Sequence, residues 1–246
     1  MVGWMGAPPA YVLATALSLF AVFFLSGLPE GNRSAQPRKH LLHDLREGAA
    51  FVVLSPLLRP ILITAIVFNT SWFVLQAVFV AYAVHSLGLT ATGVGVTLGV
   101  YGAGMVVGAL MAPRLSERLP FGALITLGPF TALCAAFAML LTIWIPSGAL
   151  AALSFFLFGA GPVLWVIATT TLRQVVTPTA MLGRVSALIM TATYGARPIG
   201  AAIGALVAAR AGVEACLVVS AAGFLIQFIV ICISQVPRLR VLPEPA

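Results

Sequence analysis

The sequence predicts an all-α fold, a polytopic membrane helix bundle with about seven transmembrane helices. Of its 246 residues, 61% are hydrophobic and only 8% are charged, whereas soluble domains carry roughly 25% charged residues. The apolar residues also occur in runs of about 20, the helix length that crosses a hydrocarbon layer of about 30 Å. The alternating pattern of an outer-membrane barrel does not occur in the sequence. A soluble globular protein is therefore excluded.

Seven apolar runs, bounded by charged, proline or turn residues, predict the membrane spans. They cover residues 10–28, 61–84, 93–112, 123–143, 148–171, 185–209 and 213–234. This divides the chain into a first span (1–28), a linker (29–60), a six-helix domain (61–236) and a tail (237–246). Within the linker, residues 39–54 have apolar side chains at helical spacing, which predicts an amphipathic helix on the membrane face. A solvated linker helix without a binding role is the simpler alternative.

The basic residues predict the orientation of the chain. Eleven of the 13 Lys and Arg residues lie in alternate connections or in the tail, and such connections are retained in the cytoplasm. We therefore expect the N-terminus outside and the C-terminus in the cytoplasm. The net charge of +7 is then explained by the position of the chain in the lipid bilayer, and nucleic acid is not expected as a partner. The first span has no basic residue before it, so we also expect that the chain begins partway through a longer protein.

Three segments carry a family resemblance. The first comprises DLREGAAF at 44–51 and SPLLRP at 55–60, the second is GALMAPRLSERL at 108–119, and the third runs from VTP at 176–178 through LGRV at 182–185 to GARPIG at 195–200. They resemble the second half of a major facilitator superfamily transporter, in the enterobactin-exporter and macrolide-efflux branch. The seven spans would then correspond to helices six to twelve of twelve.

The resemblance implies a function. It implies proton-coupled efflux of a small hydrophobic molecule, drug or siderophore across the bacterial inner membrane, with the missing N-terminal half as partner. The alternative is a truncated or split half-transporter that acts only as a membrane assembly partner and is inactive alone. Neither reading requires a cofactor, a metal or catalytic residues, and no sequence motif of a hydrolase, an ATPase or a metalloprotease is present.

Candidate substrate-binding residues are polar or aromatic side chains inside apolar spans, where facing lipid would be costly. They are Asn69, Trp72, Gln76, Trp165, Thr169, Tyr194 and Arg197. Asn69 and Gln76 have an alternative role as hydrogen-bonding contacts between helices. Arg197 has three alternative roles. It contacts an anionic or carbonyl-bearing substrate, pairs with a carboxylate of the missing half, or extends to the membrane interface.

Two further sets of residues are predicted to support the transporter without binding substrate. Gating contacts or simple orientation charges are expected of Arg114, Arg118, Arg173 and Arg184. Close helix packing is expected of three pairs of glycines spaced four residues apart, Gly95 and Gly99, Gly104 and Gly108, and Gly200 and Gly204. Since no Asp or Glu lies well inside a predicted span, a proton-carrying acid would have to come from the other half.

Overall fold

A computed structural model describes residues 7–26 and 41–243 of the chain. The first part of the predicted linker, residues 29–40, therefore lies outside the described residues. The chain divides into two compact units, residues 1–40 and residues 41–246. In the first unit, helix α1 (Ala7–Ser26) matches the first predicted span, and it contains an apolar stretch, Tyr11–Ser26, of fewer than 18 residues.

The second unit is a bundle of helices in which the linker helix takes part. Its helices are α2 (Leu41–Leu54), α3 (Leu58–His85), α4 (Ala91–Arg118), α5 (Phe121–Leu141), α6 (Gly148–Val176), α7 (Thr179–Ala211) and α8 (Val213–Ile233). A 3-10 turn follows at Val236–Arg238. Several helices extend beyond the predicted spans because helical hydrogen bonding continues past the apolar stretch that hydropathy detects.

Helix α4 and helix α6 begin at residues suited to a helix N-terminus. The Thr90 hydroxyl accepts a hydrogen bond from the Gly93 backbone N–H at 3.2 Å, and the Ser147 hydroxyl accepts one from that of Leu150 at 3.4 Å. Each hydroxyl satisfies one of the backbone donors that a helix leaves unpaired in its first turn. These caps determine where α4 and α6 begin.

Five of the described helices are long and apolar enough to cross a membrane, namely α3, α4, α5, α6 and α8. Helix α7 is longer than any of them, at 33 residues, but Arg197, Pro198 and several glycines lower its mean hydropathy. By length and composition the described part of the chain thus holds fewer spans than the seven predicted. The fold class is confirmed: the described residues form an all-α bundle of membrane-spanning helices.

The half of the bundle away from α2 is filled by an apolar core. Buried side chains from five helices meet there, and Phe79, Phe155, Phe158 and Phe224 are each no more than 1% exposed. The Phe79 and Phe155 ring centroids are 4.2 Å apart. The buried Tyr82 hydroxyl lies 2.8 Å from the Thr142 hydroxyl and links α3 to the end of α5. This half of the bundle therefore holds the apolar core of the described residues.

Helix α2 packs on the opposite end of the bundle. Val52 is fully buried in a small apolar cluster with Leu58 of α3 and Val185 of α7. The Arg184 guanidinium donates a hydrogen bond to the Glu47 carboxylate at 2.6 Å, and Gly48 lies so close to Arg184 that an added Cβ would be 3.3 Å from its backbone carbonyl carbon. The linker helix is thus part of the compact bundle unit.

Two of the three predicted glycine pairs lie at close helix contacts. A Cβ on Gly104 or Gly108 would overlap backbone carbonyl oxygens of α6, and one on Gly200 would overlap the Thr70 carbonyl oxygen of α3. A Cβ on Gly204 would be 2.9 Å from the Val74 carbonyl oxygen. The sequence analysis missed Gly159 of α6, whose added Cβ would overlap the Tyr101 carbonyl oxygen of α4.

Gly95 and Gly99 make no close packing contact among the described residues, so their predicted packing role stays a prediction. An added Cβ at either position would have no described neighbour within 4 Å. The physical reason is the rotation of α4 about its axis. Gly104 and Gly108 occupy the side that contacts α6, whereas Gly95 and Gly99 point away from every described helix.

Candidate functional site

A cavity of about 450 Å³ lies inside the bundle, lined by residues of α3 to α8. The lining residues that α3 contributes lie in the first half of that helix, and most of those from α6 lie in its second half. Because consecutive helices joined by short connections run antiparallel, both segments lie in the half of the bundle that contains α2. The cavity therefore begins where the apolar core ends.

Arg197 is held in the cavity wall by two neighbours. Its Nε donates a hydrogen bond to the Asn69 side-chain oxygen at 3.1 Å, and its guanidinium carbon lies 4.3 Å from the centre of the Tyr194 ring. The Asn69 amide nitrogen donates to the Ala65 carbonyl oxygen at 2.9 Å, which orients the amide so that its oxygen faces Arg197. Because all three side chains line the cavity, Arg197 is positioned before any ligand arrives.

This geometry favours a cavity position of Arg197 over extension to the membrane interface. A cation over an aromatic ring is stabilised by about 0.5 to 2 kcal/mol, and a hydrogen bond from a charged donor adds roughly 1.5 to 3 kcal/mol. Extension to the interface would break both contacts. Among the described residues, no carboxylate lies within ion-pair distance of this arginine.

Trp165 and Thr169 also line the cavity, as predicted from their positions on α6. Gly128 of α5 lets the tryptophan approach closely, since an added Cβ there would lie 2.5 Å from the Trp165 Cβ. The Thr169 hydroxyl donates to the Trp165 carbonyl oxygen at 2.7 Å. Its donor is therefore used within the helix, and only its acceptor capacity is directed to a ligand.

Two predicted residues, Trp72 and Gln76, are absent from the cavity wall. The Trp72 ring stacks on Tyr101 with centroids 5.5 Å apart and meets Phe158 edge-on at 4.7 Å. Both residues share a helix face with Asn69, but they lie one and two turns further along α3, where the apolar core has replaced the cavity. Trp72 therefore supports the wall from behind, through Tyr101, which does line the cavity.

The four arginines assigned to gating or orientation lie in three different environments. Arg114 and Arg118 are exposed near the end of α4, and Arg184 pairs with Glu47 of α2. Arg173, by contrast, lines the cavity, and its buried Nε has no hydrogen-bond partner among the described residues. The sequence analysis placed it at the end of a span, whereas α6 continues to Val176 and carries it into the wall.

Two buried polar residues of the wall were missed by the sequence analysis. Thr64 of α3 and Gln227 of α8 are each only 1% exposed. Neither the Thr64 hydroxyl nor the Gln227 side-chain oxygen has a described partner, and the Gln227 nitrogen makes only a long bond, 3.5 Å, to the Pro129 carbonyl oxygen. The available signal was a glutamine inside the most apolar span, since such residues are costly unless they face a cavity or another helix.

Comparison with known proteins gives two matches. A family model described as transmembrane secretion effector matches residues 1–243. The chain is also 30% identical, over 198 residues, to the enterobactin exporter EntS of Shigella flexneri. That alignment covers 78% of this chain and 44% of the exporter, so the chain spans less than half the length of this curated relative.

These matches agree with the resemblance seen in the sequence and with the expectation that the chain is not an enzyme. The family model covers nearly the whole chain, and its description and the similar exporter both concern movement of molecules across membranes. The chain therefore belongs to the transmembrane secretion effector family, a branch of the major facilitator transporters.

Proposed function

We propose that this chain forms one half of a membrane exporter that moves a small, partly hydrophobic molecule, such as a drug or a siderophore, in exchange for protons. The observation that carries the proposal is the cavity, in which Arg197 is positioned by Asn69 and Tyr194. A cavity of about 450 Å³ lies in the size range of pockets for small molecules. Substrate is bound there between the two halves of the transporter and released on the other side.

The proposed partner is a second bundle that supplies the opposite wall and the proton-carrying acid. Among the described lining residues there is no Asp or Glu, so this wall offers no carboxylate for proton exchange. The similar exporter is more than twice as long as the matched segment, which leaves room for such a bundle. Its substrate, enterobactin, is a reasonable first compound to test.

We propose further that the protein lies in the inner membrane with α2 on the cytoplasmic side. The basic connections support this orientation, and they include Arg184, which contacts α2. The cavity would then lie in the cytoplasmic half of the bundle. An exporter loads its substrate from the cytoplasm, so this location fits export. A reporter enzyme that is active only outside the cytoplasm, fused after the last residue, should be inactive.

The second candidate function is that of a half-transporter that is inert by itself. The share of the exporter that the chain covers, 44%, is the observation in its favour. In this case the chain would insert into the membrane, and no partner bundle would restore transport.

The test is enterobactin release from exporter-deficient bacterial cells that express the full chain, alone or with the first half of the enterobactin exporter. We expect release with the partner, a loss of release when an uncoupler collapses the proton gradient, and at least a tenfold reduction by Tyr194→Ala. Trp144→Ala is the matched control, because this aromatic residue is 69% exposed and lies outside the cavity.

Each outcome decides one part of the proposal. Release that persists with the uncoupler would retain export and reject proton antiport. If the chain inserts normally and no partner restores release of enterobactin or of a panel of dyes, the inert half-transporter is the correct interpretation. If Tyr194→Ala and Trp144→Ala reduce release equally, the cavity does not take part in transport.

A further inference from the structure

The charge of the cavity wall is one-sided. Arg173 and Arg197 both line the cavity, and no acidic side chain among the described residues does. The chain has only six acidic residues in all, and those described in α4 and α8, Glu117 and Glu214, lie at helix ends. An unpaired positive charge in a low-dielectric site is costly, and a bound negative charge removes that cost.

The two arginines have hydrogen-bond donors left for a ligand. Arg197 uses its Nε on Asn69, and no described residue accepts a hydrogen bond from its two terminal nitrogens. The Arg173 Nε is buried and without a described partner. A guanidinium presents five N–H donors in a planar fork and no acceptor, so its natural ligand is a carboxylate, sulfonate, phosphate or phenolate oxygen.

Two other residues of the cavity wall carry a buried polar atom without a described hydrogen-bond partner. The Gln227 side-chain oxygen can only accept a hydrogen bond, whereas the Thr64 hydroxyl can donate or accept one. Both residues are 99% buried side chains without a described partner for these atoms. A buried polar atom without a partner costs about 1 to 3 kcal/mol. Unpartnered polar atoms of Thr64, Arg173 and Gln227 therefore lie in the wall of the same cavity.

The rest of the wall is apolar and aromatic. Tyr101 and Trp165 lie on it, and so does Phe68, which packs edge-on against the buried Phe224 with ring centroids 5.5 Å apart. Such a surface binds a flat apolar or aromatic group by burying it from water. The cavity thus combines a cationic, donor-rich part with an aromatic part.

We propose that the cavity selects organic anions, that is, molecules with an aromatic or apolar body and a negatively charged oxygen group that pairs with Arg197, with Arg173 as a second cationic contact. This inference rests on the proposed function, which makes the cavity a substrate site, and it adds the charge of the substrate. This wall disfavours a cation of the same shape, since the cation would face two positive charges with no carboxylate among the described lining residues to balance them.

The experiment compares two probes that share one ring system, 2-naphthalenesulfonate and 2-naphthyl-trimethylammonium. Their dissociation constants for the purified full chain in a non-ionic detergent are measured by equilibrium dialysis at about 0.15 M salt, where surface charges are largely screened. We expect the anion to bind at least tenfold more tightly than the cation, because one charge-assisted hydrogen bond is worth at least about a factor of ten. Equal binding, or tighter binding of the cation, would overturn the proposal without any variant.

Variants then show which arginine causes the tighter binding of the anionic probe. Arg197→Gln should reduce it to less than twofold, Arg197→Lys should keep part of it, and Arg173→Gln should reduce it by a smaller factor. Arg210→Gln is the matched control, because this arginine lies on the same helix but is exposed and outside the cavity. A preference that survives both Arg197→Gln and Arg173→Gln would refute the site. Since no transport is measured, anion binding without release of any compound would retain this inference and reject the proposed function.

Discussion

The contact between α4 and α6 makes Gly104→Ala a sharp test of the packing. A Cβ at this position would overlap the Phe156 carbonyl oxygen and would lie 3.0 Å from the Phe156 carbonyl carbon and 3.2 Å from the Ala160 nitrogen. All three are backbone atoms of α6, so no side chain can rotate to make room and the helices must separate. Overpacking of this kind costs about 1 to 3 kcal/mol.

The matched control is Gly99→Ala, the same change on the same helix. Position 99 has no described atom within 4 Å of an added Cβ, so the alanine meets no steric resistance. In a helix, alanine is favoured over glycine by up to about 1 kcal/mol. We therefore expect opposite signs: Gly99→Ala neutral or slightly stabilising, and Gly104→Ala destabilising. With about 2 to 4 °C per kcal/mol for a chain of this size, Gly104→Ala should lower the unfolding midpoint by about 2 to 12 °C.

Thermal unfolding in detergent can be followed by the reaction of a fluorogenic maleimide with Cys216, which is fully buried. Cys134 is partly exposed and Cys232 is exposed, so both are replaced by serine in every protein. Gly159→Ala, on the other side of the contact, should behave like Gly104→Ala because its Cβ would overlap the Tyr101 carbonyl oxygen. The reasoning is refuted if Gly104→Ala and Gly99→Ala unfold at the same temperature.

Three further predictions use the same unfolding assay. Tyr82→Phe should lower the free energy of unfolding by about 0.5 to 1.5 kcal/mol, and Thr142→Val by about 1 to 3 kcal/mol because it leaves the buried Tyr82 hydroxyl without its partner. The double variant should lose less than the sum of the two single variants. Strict additivity would contradict the hydrogen bond. Glu47→Gln should cost at most about 1 kcal/mol and only at low salt, since its partner Arg184 and the carboxylate are partly exposed; a larger loss at high salt would disprove this estimate. Gln227→Leu should leave stability unchanged or raise it slightly, because it removes a buried oxygen without a described partner; marked destabilisation would show that this oxygen is already satisfied.

Much of the candidate site was predictable because polar residues are rare in apolar spans. Asn69, Trp165, Thr169, Tyr194 and Arg197 were all chosen for this reason, and all five line the cavity. Their role in substrate binding stays a prediction. Polarity alone did not show how far the cavity extends along each helix, since that depends on where large apolar side chains from other helices fill the bundle. For this reason Trp72 and Gln76 were placed in the wall and Thr64 and Gln227 were not.

The sequence by itself determined that this protein is a bundle of membrane helices and which family it belongs to. Hydrocarbon accepts only long apolar segments whose backbone bonds are satisfied internally, so composition and run length suffice to predict the helix bundle, whereas the family rested on the three resembling segments. Only the tertiary structure decided which faces of the helices meet. Gly95 and Gly104 are alike in sequence, yet only Gly104 contacts a neighbouring backbone. That difference arises from the rotation of α4 about its axis, which is set by the fit of all the helices together and not by any local run of residues.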